Sequence, residues 1–175
     1  PDLICGKALD NRVGCAMLLQ LFQDLQGITL PGTVYGVINT QEEYGFQGAQ
    51  QAGMKLKPDA AIVVDTIPSG DTPDTDLQKE LNVRIGAGPA LALLSGASPH
   101  CYITHPSIKE LMIRLAGEND IPLQLVLFPG SGSDAIMLHM VGEGIPTGIV
   151  NIPRRYAHSP VELLNLNDVV NAQRL

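Results

Sequence analysis

Short apolar runs alternate with amphipathic stretches along almost the whole chain, and this limits the folds open to it. "PDAAIVVD" at 58–65 is a continuous apolar run, as expected of a parallel strand covered on both faces. "GTVYGVINT" (32–40), "LNVRIG" (81–86), "PALALLS" (89–95), "PLQLVLF" (122–128) and "IPTGIVNIP" (145–153) read as further strands. "DNRVGCAMLLQLFQDLQG" puts Val13, Met17, Leu21 and Leu25 on one helical face, with Asp10 or Asn11 as N-cap and Gly27 as a stop. "FQGAQQAGM", "HPSIKELMIRLAGEND", "SDAIMLHMVG" and "LNDVVNAQRL" read as helices. Pro106 suits a first turn, and Asn165 or Asn167 caps the last helix. The pattern implies an α/β fold with a mostly parallel sheet and helices on both faces, residues 1–175 forming a single domain.

Composition removes several function classes. The net charge is −7, and no basic cluster exceeds Arg154 and Arg155, so neither nucleic acid nor an anionic membrane surface is an expected partner. No apolar run reaches the roughly 20 residues needed to span a bilayer. Cys5, Cys15 and Cys101 are odd in number and lack metal-site spacing. They read as reduced, mostly packed thiols of a cytoplasmic protein.

In open α/β sheets, ligands gather beyond the carboxyl ends of the strands. Asp65 ends its apolar run, Glu42 and Glu43 follow "TVYGVI", and Asp134 follows "PLQLVLF". His158 follows "TGIVNIP", and Asp10 opens the first helix. Each has an ordinary reading alone: a cap, a solvated turn, a surface histidine. Their convergence on one predicted edge argues for a site. Carboxylates with imidazole suit Zn²⁺, Mn²⁺ or Co²⁺, and two such ions can share a bridging carboxylate. A carboxylate not bound to metal can then handle protons. Adjacent side chains on a strand point to opposite faces, so Glu42 and Glu43 can serve one site only where the strand has ended. Gly45 is consistent with such a turn.

Five motifs in order, "KALDNRVGC", "TQEEYGFQGA", "VVDTIPSGDTP", "PGSGSDA" and "RRYAHSP", resemble the glutamyl/tetrahedral aminopeptidase family of dinuclear metallopeptidases. The resemblance implies a cofactor of two divalent ions, zinc or cobalt, with manganese as a further choice, and a peptide substrate. It implies that Asp10 bridges the metals, Asp65 binds one, and Glu43 with His158 binds the other. Glu42 matches the general base, and Asp10–Asn11 the family's non-prolyl cis peptide. Gly132, Ser133 and Asp134 match the glycine-rich loop beside the substrate, with Ser133 where Thr is more usual. Arg155 and His105, with Arg154 and Tyr156, are candidate pocket residues, and an arginine would suit an acidic side chain.

One departure is large. The resemblance implies a further histidine upstream of Asp10 in a His-x-Asp motif, and no His precedes Asp10 here. The chain therefore reads as the later part of a catalytic domain, without the first strands or the inserted domain that drives homo-oligomer assembly. Weak or absent metal at the Asp10–Asp65 half, low activity and uncovered apolar surface are the expectations for this chain alone. Alternatives are a deacylase or carboxypeptidase of related type, an endoglucanase-type glycoside hydrolase, and a non-catalytic fragment. No lid domain fits between Asp65 and His158, where strands and helices of the main sheet fill the interval. Adjacent glutamates make a poor opposed pair across a sugar, and the chain has no Trp to stack one.

Overall fold

The computed structural model describes residues 2–77 and 79–175. Seven strands form one mixed sheet: β1 (Leu3–Gly6), β2 (Ala61–Pro68), β3 (Ala90–Ala97), β4 (His100–Ile103), β5 (Gln124–Pro129), β6 (Thr147–Arg155) and β7 (Glu162–Asn165). The path runs β1-β7-β6-β3-β4, with β2 on β6 and β5 on β3. The two longest ladders, β2·β6 and β3·β5, are parallel. The antiparallel pairings are short. β6 is buried along nearly its whole length, whereas β2, whose continuous apolar run implied cover on both faces, is only partly buried, with Ile62 exposed.

Among the described residues five α-helices cover the sheet: α1 (Leu9–Asp24), α2 (Gln47–Leu56), α3 (Pro106–Glu118), α4 (Ala135–Leu138) and α5 (Leu166–Arg174). The strand period of two sorts the core onto two faces. Leu91, Val150 and Ile152 pack with Val13 and Met17 of α1, Ile108 and Met112 of α3 and Ala172 of α5. Ala90, Ala92 and Ile149 point the other way, toward Ala135 and Ile136 of α4. Ile152 is fully buried. Ile152→Ala is expected to cost about 2–5 kcal/mol, read as a lower urea midpoint with an unchanged slope.

Asn11, not Asp10, caps the first helix: its Oδ1 accepts from Gly14 N–H (3.0 Å), and backbone angles at both residues are non-helical. Asn165 caps α5, accepting from Asn167 N–H (2.8 Å). Pro106 stands in the first turn of α3.

Two expected strands are corrected. Residues 33–38 join no ladder, and Val34, Tyr35, Val37 and Ile38 are exposed. β-branched residues supply propensity, but a strand also needs a neighbour. Among the described residues β2 has only β6 as a partner. "LNVRIG" is also irregular, because side chains take the place of a ladder: Gln124 Oε1 accepts from Arg84 N–H (2.9 Å), and Asn82 Nδ2 donates to Leu125 O (3.1 Å). The helix expected over 133–142 is a single turn, α4. Cys5 and Cys101 are exposed and Cys15 is half-buried, all three as free thiols, so the packing expected of them is absent. Among the described residues no helix is long and apolar enough to cross a membrane.

Candidate metal centre

β2 and β6 run in parallel, so their carboxyl ends open on the same edge. Asp65 lies late in β2, opposite Asn151 of β6. The chain leaving β6 turns through Tyr156 and His158, both with positive φ (60° and 55°). His158 thereby comes back over Asp10 at the start of α1. Its Nε2 lies 3.5 Å from Asp10 Oδ2 and 3.5 Å from Glu43 Oε2. One ligand atom from each of Asp10, Glu43 and His158 falls within 4.8 Å of the others. Asp10 is the half-buried floor at 11% side-chain exposure, while Glu43 and His158 form an open rim at 54% and 67%. The Asp10–Asn11 peptide bond is cis.

Glu42 and Glu43 sit in a 3₁₀ turn, Glu42–Tyr44, closed by Gly45 at φ 110°. That left-handed residue ends the segment and lets the two neighbouring carboxylates share one site, as their spacing requires. Burial is the main force raising the Glu42 carboxyl to about 8, with Asp65, Glu43, Asp134 and Asp10 adding repulsion. Asp65 is pushed up to about 7, chiefly by burial, against the Thr66 N–H and the nearby Ser133 hydroxyl, with Asp10 and Asp134 raising it further. Its Oδ1 accepts from Thr66 N–H (2.8 Å) and Asn11 Nδ2 (3.4 Å).

The glycine-rich loop closes the same edge. A Cβ at Gly132 would lie 2.6 Å from Ile136 Cδ1 and 2.8 Å from Phe46 Cζ, so only glycine fits there without a shift. Ser133 and Asp134 are buried. Asp134 Oδ2 accepts from Asn39 Nδ2 (2.7 Å), while its buried Oδ1 has no partner among the described residues. Burial raises the Asp134 carboxyl, and the Asn39 hydrogen bond opposes this.

The candidate pocket residues divide. Arg154 is buried and grips Asp10 Oδ2 (2.6 Å) and Glu162 Oε1 (3.0 Å). Arg155, next along the strand, instead pairs with Asp71 (2.8 Å). Tyr156 is exposed. His105 stands apart from them: its N–H donates to the carbonyl of Thr147 (3.2 Å), the first residue of β6, at the opposite end of that strand from Arg154. Sequence reasoning missed Glu162, a carboxylate 2% exposed that contacts Asp10, Arg154 and His158. Its place two residues beyond "SP", between Val161 and Leu163, carried no signal that the carboxylate itself is buried.

Two carboxylates and an imidazole are a donor set that fits one divalent cation such as zinc, cobalt or manganese. Asp65 lies outside that group of three but within reach of Asp10's charge.

Known proteins share this arrangement of chain. The glutamyl aminopeptidase of Lactococcus lactis is 33% identical over 170 residues, 97% of this chain and 45% of its own length. The structure of a TET aminopeptidase from a marine sediment Thaumarchaeota archaeon superposes with a TM-score of 0.90 at 37% identity, covering 98% of this chain and 47% of that one. The TET1 peptidase of Pyrococcus horikoshii, which can assemble into a tetrahedron or a large octahedral shell, gives 0.81 at 27% identity over 99% of this chain and 48% of its own. The chain spans about half the length of the curated relatives it matches. Matching over residues 1–175, it belongs to the M42 glutamyl aminopeptidase family.

Proposed function

We propose that the whole protein is a metal-dependent aminopeptidase that releases N-terminal residues from peptides, acting in the cytoplasm as a homo-oligomer. The observation that carries this reading is the gathering of Asp10, Glu43 and His158, with Glu42 beside them and outside the group. Glu43 and His158 would hold one ion, zinc, cobalt or manganese. Asp10 would link it to a second that Asp65 helps to hold. When bound, such ions lower the pKa of water and polarise a carbonyl. Glu42, beside the ligands but outside their group, would take the proton from the attacking water and return it to the leaving amine. Gly132, Ser133 and Asp134 line the substrate. The unpartnered Asp134 Oδ1 supports this, because a buried acceptor calls for a donor. Arg155 is committed to Asp71 and contributes to the pocket only through that pair. The shell-forming relative supports self-assembly.

A panel of aminoacyl anilides tests the reading on the whole protein. Hydrolysis should vanish with chelator and return with Zn²⁺ or Co²⁺. Turnover indifferent to chelator would overturn metal dependence, and absence of aminoacyl turnover with metal restored would overturn the peptidase assignment.

A further inference from the structure

We infer that Glu162 is the positioning residue of this centre: one buried carboxylate holds the main chains of Asp10 and His158 together. The inference rests on the metal-site reading above. Glu162 Oε2 accepts from Asp10 N–H (2.9 Å). Its Oε1 accepts from Arg154 Nη1 (3.0 Å) and from His158 N–H (3.3 Å). Asp10 opens α1 and His158 lies in the turn after β6, so no local structure sets their separation. Glu162, at the start of β7, reaches both.

The surroundings make this more than a satisfied core carboxylate. His158 has φ 55°, a conformation uncommon outside glycine, so its turn needs support from outside. The hydrogen bond from its N–H to Glu162 supplies that support. Arg154 extends the network to the Asp10 side chain through Oδ2, the oxygen that faces His158 Nε2. Backbone and side chain of Asp10 are thus both fixed through a single Arg154–Glu162 pair. Hydrogen bonds to an ionised carboxylate are shorter and roughly twice as strong as neutral ones. Groups that orient ligands in this way typically change metal affinity by about 10–100-fold when lost.

Glu162→Gln keeps the shape but places an amide donor against N–H groups. Asp168 supplies the control. It too is buried, and it accepts from Gly86 N–H (2.7 Å) and Gly88 N–H (2.8 Å), with no contact to the centre. In the whole protein, Zn²⁺ affinity by chelator competition should fall about 10–100-fold in E162Q. In D168N it should stay at the wild-type value even where the melting temperature drops. In metal-free wild-type protein, the amides of Asp10 and His158 should exchange slowly with solvent. Wild-type protein that binds no Zn²⁺ would refute the metal-site reading itself. Wild-type binding with an unchanged affinity in E162Q would overturn this inference alone. Fast exchange at His158 in the wild type would do the same, even where E162Q fails to fold.

Discussion

Glu42→Gln in the whole protein should lower turnover of aminoacyl substrates by about 10²–10⁴-fold while leaving Zn²⁺ affinity unchanged. Glutamine has the shape of glutamate but cannot take a proton from water at neutral pH. The three groups whose ligand atoms converge are Asp10, Glu43 and His158, so the substitution removes no proposed metal ligand. Its effect should fall on kcat more than on KM, the mark of an interaction made only in the transition state. Glu43→Gln is the necessary contrast: it alters a ligand, and metal affinity and turnover should fall together. If Glu42→Gln loses metal in step with activity, the two glutamates do not divide the labour as proposed.

The long elements and the edge that carries the site were legible because their signals are local. α1 announces itself through Val13 and Met17 at a step of four, and both are buried. β2 announces itself through its apolar run at 60–64, although only its later half is buried. Strand-end logic drew Asp10, Glu43, Asp65, Asp134 and His158 to one edge, where the structure also brings them. The rest depends on neighbours. β1, β4 and β7 are four-residue strands whose pairing is set by their partners. Residues 33–38 have strand composition but no ladder. Arg154 and Arg155 are adjacent and chemically alike, yet the strand's alternation sends one to Asp10 and the other to Asp71. Glu162 is hidden for the same reason: a glutamate is usually solvated, and the pairing of β7 with β1 and β6 carries it under Asp10.

The metal-free protein should melt several degrees lower at pH 8 than at pH 5.5, and added Zn²⁺ should reverse the loss at pH 8 only. The folded state raises the Glu42 carboxyl from its ordinary 4.5 to about 8. It raises Asp65 from 3.8 to about 7. Between those values the folded chain holds protons that the unfolded chain has released. Stability from these groups is therefore complete below the unfolded pKa values and is lost as pH rises through about 7 to 8. Each pKa unit is about 1.4 kcal/mol before solvent screening, and about 1 kcal/mol moves the melting temperature of a chain this size by about 2–4 °C. A cation answers the share of that repulsion carried by the proposed ligands, Asp65 among them. At about 100-fold excess over its Kd it adds about 2.7 kcal/mol, a rise of about 5–10 °C. At pH 5.5 the carboxyls are largely protonated, and metal binding must displace those protons. Glu42→Gln supplies the internal check, since it deletes one of the two raised groups. The variant should be more stable than wild type at pH 8 without metal, and its melting temperature should vary less with pH. A flat wild-type profile from pH 5.5 to 8, or equal stabilisation by Zn²⁺ at both ends, would mean that the acidic cluster carries no such electrostatic load. The stability that Glu42 costs at pH 8 and the turnover it supplies then have one source, a carboxylate kept among other acids.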